Sequence, residues 1–204
     1  MNDKFDLDFC FKGSRKYVQG PDIFDAVINF ISNEFDVIKG VKYSAHEILH
    51  NNATVYITKK IIKEDYEVIN SLISFVGDDV KYYAVVCDNN NKIKRSVKYS
   101  EEIITEMSNV CGNVISFKNI LPDSYTEIVV SMNKYFLNKI VKEKGKWIVT
   151  RFDYFYLDDT LSIKNKEIKV QLLTNFNNKL TKSVLFLDEK EVGYLYFSLI
   201  KEGS

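Results

Sequence analysis

Seven apolar residues, Ile23, Phe24, Val27, Ile28, Phe30, Ile31 and Phe35, recur within a span of thirteen positions. On a helix they cover more than half of the circumference. A helix so apolar has to be wrapped by other structure rather than laid on a surface, and this constrains the fold more than any other stretch. Its start is well marked. Gly20 reads as the N-cap, Pro21 fits the first helical position because it has no N–H to lose, and Asp22 falls in the first turn, where the helix dipole favours negative charge. Ahead of it, Phe11-Lys12-Gly13-Ser14-Arg15-Lys16 forms a basic loop. Asp25 is the odd residue, a carboxylate one turn inside the helix and next to Ala26. It must be hydrogen-bonded there or serve chemistry, and its burial would raise its pKa toward neutrality.

Something must supply the wrapping, and 204 residues with 46% hydrophobic side chains suffice for one large domain or two small ones. Lys+Arg and Asp+Glu each number 28, which argues against a protein built to hold nucleic acid or an anionic membrane. Cys10, Cys87 and Cys111 are widely spaced, with no CxxC and only two histidines. Neither a disulfide framework nor a zinc site is suggested, no metal or redox cofactor is expected, and a reducing cytoplasm fits best. The segment after Met1 lacks the basic and apolar pattern of a leader, and no run approaches the ~18 apolar residues of a membrane span.

Past the first helix, Val37 to Thr58 reads as strand around an Asn51-Asn52 turn, and Tyr66 to Val76 as a further strand. Gly77-Asp78-Asp79 turns, Lys81 to Cys87 is strand, Asp88-Asn89-Asn90-Asn91 turns again, and Ile93 to Tyr99 pairs back. Ser100 caps a short helical segment through Met107, ended by Gly112. The pattern then restarts. Phe117-Lys118 and Pro122-Asp123 echo Phe11-Lys12 and Pro21-Asp22, and Ser124 with Glu127 forms a capping box ahead of Ile128, Val129, Met132, Tyr135, Phe136 and Ile140. Strands are expected at Trp147 to Leu157, Ile168 to Phe176, Ser183 to Leu187 and Val192 to Ile200, with turns at Asp158-Asp159, Asn177-Asn178 and Asp188-Glu189-Lys190. The offset is about 100 residues throughout. The expected class is α+β: two β-α-β-β-β-β repeats, 1–99 and 113–204, joined by a linker helix at 100–112, each long helix wrapped by a continuous antiparallel sheet.

This order of elements resembles the hotdog fold in its double form. The residues around Gly20 resemble the β-hydroxyacyl-ACP dehydratase branch, in which a His-Phe-x-Gly loop precedes a helix opened by Gly, with an acid five positions on, then Ala, then Gln three further. Phe11-Lys12-Gly13, Gly20, Asp25 and Ala26 match that pattern, Asn29 stands in place of Gln, and Glu127 falls five residues after Pro122. Cys10 and Ser116 occupy the places of the catalytic histidine. The resemblance implies an acyl thioester, on coenzyme A or on the phosphopantetheine of a carrier protein, whose carbonyl is polarised at the Gly20 N–H. Asp25 would serve as general acid/base, with Glu127 as a second-site acid.

Each candidate also has a plain structural reading. Gly20 and Asp25 could simply cap and hydrogen-bond the helix. Cys10 reads first as a small buried hydrophobe and second as a nucleophile or weak acid. His46 and His50 would share one face of a strand, from which one could approach a helix carboxylate, or they are surface residues of a polar strand end. Lys12, Arg15 and Lys16 suit the phosphates of a thioester carrier as well as they suit solvent. The run Phe152, Tyr154, Phe155 and Tyr156 suits sheet packing or an acyl tunnel. Three functions follow: an acyl-thioester enzyme, dehydratase-like or thioesterase-like; a non-catalytic module binding an acyl chain, a carrier protein or a protein partner; or a structural subunit of an assembly, a homo-oligomer included.

Overall fold

The apolar stretch after Gly20 forms helix α1 (Gly20–Ile31), which buries Pro21, Ile23, Phe24, Val27, Ile28 and Ile31. The computed structural model describes residues 3–99, 101–118, 120–157 and 163–200. The helix starts one residue earlier than the sequence suggests. Gln19, extended at φ −78° and ψ 148°, is the N-cap, because its carbonyl already accepts the first helical bond from Ile23 N–H at 3.2 Å. Gly20 is therefore the first helical residue.

The chain divides into two compact units, residues 1–99 and 100–204. In the first, β1 (Asp3–Leu7), β3 (Ile38–Ala45), β4 (Asn51–Thr58), β5 (Ser71–Gly77) and β6 (Val80–Lys92) form an antiparallel sheet in the order β1-β4-β6-β5-β3. β2 (Phe11–Lys12) and β7 (Ser96–Val97) form a separate parallel pair. Tyr43, Ile73, Ala84 and Ile57 are opposite one another across the four strands and are all buried. Tyr43 meets the edge of the Phe24 ring at 6.4 Å, so this row faces α1.

Several expectations for this unit need correction. Asn51 and Asn52 open β4 rather than forming a turn. The chain reverses at 46–50, where the His46 and Glu47 N–H groups both donate to Asn70 O. Residues 66–70 are not strand, and a short 3₁₀ turn (Lys63–Asp65) precedes them. Asp88-Asn91 does carry the local side-chain bonds of a turn, from Asn90 N–H to Asp88 Oδ1 and from Asn91 N–H to Asn89 Oδ1. Yet β6 runs for 13 residues, because the turn is taken up as a bulge between Ala53↔Asp88 and Asn51↔Lys92, beyond which pairing with β4 resumes. The segment after it does not pair back on β6 but supplies β7 to Phe11–Lys12.

The second unit contains α2 (Glu101–Met107), β8 (Asn109–Cys111), β9 (Val114–Lys118), α3 (Tyr125–Ile140), β10 (Lys146–Tyr156), β11 (Glu167–Phe176), β12 (Leu180–Leu187) and β13 (Lys190–Ile200). Its strands lie in the order β10-β13-β12-β11-β9-β8. Ser124 is the N-cap of α3 and accepts from Glu127 N–H at 3.0 Å, as the capping box implies. Gly112, at φ +57°, ends no helix but turns the β8–β9 hairpin. Gly193 stands opposite Tyr154, where a Cβ would collide with the Asp153 carbonyl oxygen, so only glycine lets β10 and β13 approach this closely. The expected cap at Ser100 and the turn at Asp158-Asp159 lie outside the described residues.

The order of elements recurs between the units, but the order of strands does not. β11 and β12 are joined through 177–179, too few residues to do anything but form a hairpin, and β11-β12-β13 becomes a meander. β4 and β5 are joined through 59–70, which lets β5 pass over to β3 and leaves β6 beside β4.

Candidate functional site

At the start of α1 the first N–H groups have no acceptor within the helix, and the positive end of the helix dipole opens there. Asp22, Asp25, Ala26 and Asn29 follow at i, i+3, i+4 and i+7 and form the less buried stripe of the helix, opposite Ile23, Val27 and Ile28. Asp25 is half-buried. The desolvation on which the sequence reading based its proton exchange is therefore partial.

The basic loop is strapped against this helix start. Lys12 Nζ lies 2.6 Å from Asp22 Oδ1, with both side chains at least 80% shielded (20% and 17% exposed). Lys12 and Arg15 also stand over the Tyr99 ring, at 5.3 and 4.9 Å from its centroid. Phe11 N–H donates to Arg95 O and Gly13 N–H to Val97 O, both at 2.9 Å, which fixes the loop along β7. Lys12 thus commits its charge to Asp22, and Lys16 is exposed. Cys10 is half-buried just before β2.

Neither histidine lies on a strand. His46 and His50, both exposed, begin and end the 46–50 connection, which removes the alternation expected to place them on one face. His50 Nδ1–H donates to Lys16 O at 2.8 Å, so this ring supports the basic loop. Val18 N–H donates to Leu49 O at 2.9 Å and ties the same two segments together.

In the second unit Glu127 is 9% exposed on the first turn of α3. Pro122 precedes the N-cap, so Glu127 is the third helical residue and matches Asp22 rather than Asp25 in helix register. Glu127 falls five residues after Pro122, as Asp25 does after Gly20, but that spacing does not give it the place of Asp25 on the helix.

The sequence reading missed the polar side chains buried between α3 and its sheet. Tyr154 Oη donates to Thr126 Oγ1 at 3.1 Å, and Tyr125 Oη to Phe186 O at 3.1 Å. Burial pushes the Tyr125 hydroxyl well above its ordinary pKa. Ser183 Oγ donates to Asn133 Oδ1 at 3.1 Å, whereas Asn133 Nδ2 and Thr181 Oγ1 are buried without a hydrogen-bond partner among the described residues. Thr126, Ser131 and Asn133 fall among the apolar residues of the first half of α3, which was the available signal. Phe152 and Tyr154 face this core, so half of the aromatic run packs the sheet, while Phe155 and Tyr156 are exposed. An unpaired buried hydroxyl costs about 1–3 kcal/mol. Thr181→Val is therefore expected to raise the melting temperature by about 2–4 °C for each kcal/mol relieved. A calorimetric scan showing a fall would mean that the hydroxyl is satisfied.

Among the described residues no three His, Cys, Asp or Glu side chains are gathered to hold a metal ion, and no helix is long and apolar enough to cross a membrane. All three cysteines are free, and burial pushes the Cys87 thiol up to about 11.

No protein-family profile and no curated protein matches the sequence. Solved structures do match in shape. A protein assigned as thioesterase II from Thermobifida fusca superposes with a TM-score of 0.52 at 7% identity, over 97% of this chain and 92% of its own. The tesB protein of Mycobacterium avium subsp. paratuberculosis gives 0.52 at 7% identity, over 97% and 93%. A monomeric dehydratase domain from a trans-AT polyketide synthase split module gives 0.52 at 9% identity, over 97% and 100%. An antiparallel sheet with one long helix in each unit, together with these superpositions along nearly the whole length, identifies the fold of this chain as the hotdog fold.

Proposed function

We propose that this protein processes acyl thioesters, with the thioester carbonyl held at the N-terminus of α1 and Asp25 moving a proton on the acyl chain. The observation that carries the reading is the start of α1. Gly20 presents the first helical N–H, Pro21 follows it, and Asp25 lies on the half-open stripe further down the same helix. The thioesterase and dehydratase names of the structures sharing this fold support the same substrate class. Lys16 and the strapped loop would face the carrier end of the thioester, whether coenzyme A or a carrier protein.

A non-catalytic acyl-binding module is the second reading, favoured by one specific observation. Cys10 stands where the resembling enzymes place histidine, and both histidines are exposed in the 46–50 connection, with one ring nitrogen of His50 already committed. Mass spectrometry of the purified protein incubated with a panel of acyl-CoA and acyl-carrier species separates the two. The enzyme reading expects free acid or dehydrated acyl product from at least one species. Retained complexes with unchanged thioesters would leave the binding module standing alone, and neither complex nor product would end both readings.

A further inference from the structure

The balanced charge of the chain conceals a local imbalance in the first unit. Two clefts of similar size carry opposite signs. One, of about 580 Å³, has Glu47, Asp65, Glu67 and Asp88 in its wall and no cationic side chain. The other, of about 560 Å³, is lined by Asp8, Phe9, Asn52, Asn91, Lys92, Lys94 and Arg95.

The walls of the second cleft are fixed by backbone. Phe9 N–H donates to Asn52 Oδ1 at 2.9 Å, Asn51 pairs with Lys92 across β4 and β6, and Arg95 O accepts from Phe11 N–H at 2.9 Å. Segments distant in sequence are thereby held in one arrangement before any ligand arrives, which lowers the ordering cost of binding. The single carboxylate, Asp8, accepts from Asn52 Nδ2 at 2.8 Å. Lys92, Lys94 and Arg95 are exposed, and none of them makes an ion pair with a described residue. Three cations against one carboxylate leave a surplus of two positive charges in a concave site. By contrast, Lys12 of the neighbouring loop is paired with Asp22.

We infer that this cleft binds the phosphate groups of a phosphorylated ligand, held by Lys92, Lys94 and Arg95. A guanidinium fork beside two ammonium groups matches an anion with several equivalent oxygens better than it matches a single carboxylate. The inference stands on charge and geometry and is independent of the acyl-thioester reading, so unacylated probes test it.

Calorimetric titration of the intact protein with inorganic pyrophosphate should show saturable binding that weakens as salt rises. Lys94→Gln/Arg95→Gln should weaken it about tenfold or more, as loss of two charge-assisted contacts implies, with an unchanged melting temperature. Lys182→Gln, a lysine of the second unit, should leave it unchanged. Adenosine 3′,5′-bisphosphate and pantetheine 4′-phosphate, titrated in parallel, tell a nucleotide source of the phosphate from a carrier arm, since the true source should bind tighter than pyrophosphate. No saturable binding at millimolar pyrophosphate, or an equal loss in Lys182→Gln, would overturn the site.

Discussion

Asp25→Asn is expected to lower turnover of any processed thioester by about two to four powers of ten, the usual cost of a lost general acid/base. Asparagine keeps the size and part of the hydrogen bonding of aspartate, and position 25 is half-buried, so the melting temperature should move little. Asp22→Asn supplies the control. It removes a carboxylate from the same helix stripe, but one paired to Lys12, and it should loosen the basic loop with a far smaller loss of turnover. Glu127→Gln should also matter less. Pro122 has no N–H to polarise a carbonyl, and Glu127 sits on the first turn of its helix, where Asp22 rather than Asp25 sits on α1. Equal rates for wild type and Asp25→Asn on every turned-over thioester would sink the assignment and leave the binding module ahead.

What could be read in advance was whatever local chemistry decides. Ser124 caps α3 because its hydroxyl oxygen accepts the Glu127 N–H within one turn. Asp78-Asp79 and Asn177-Asn178 turn because they tolerate the left-handed backbone found there, with φ of 48°, 64°, 50° and 55°. Asp88-Asn91 shows the limit of that logic. Its side chains bond locally as a turn should, and Asn90 is left-handed at φ 63°, but the bend survives only as a bulge in β6, and pairing with β4 resumes at Asn51↔Lys92. Strand order was illegible for a related reason. It depends on whether 12 or three residues connect two strands, and the 59–70 segment was partly misread as strand. At the candidate site the sequence exposed Gly20 and Asp25 because their spacing is helical. It did not expose the Lys12–Asp22 pair or the His50–Lys16 bond, since each closes only when the loop folds back on an element placed by packing. The cleft around Lys94 and Arg95 is assembled from several segments, so no spacing rule could have found it.

Phe24→Ala is expected to destabilise the first unit by about 3–5 kcal/mol, the cost of removing a buried aromatic ring and leaving a cavity. Phe24 is 2% exposed and lies at the centre of the packing between α1 and the sheet. Its neighbour Tyr43 cannot follow into the space, because its hydroxyl lies 3.1 Å from Ser71 Oγ in a site dry enough to push the phenol up to about 12. With the sheet side held in place, relaxation is limited and the cavity term stays large. Phe30 provides the contrast on the same helix. It is half-buried and stacks on Phe5 of β1 at 3.5 Å between centroids, so Phe30→Ala should cost about 1–2 kcal/mol. Native-state hydrogen exchange reads both locally. In Phe24→Ala the amides of Val27, Ile28 and Ile31 should exchange faster by about two to three and a half powers of ten, and in Phe30→Ala by about one. If Phe24→Ala proved no more costly than Phe30→Ala, α1 would not be the wrapped helix on which the sheet of this unit is built, and a thioester site positioned by its N-terminus would lose its rigid support.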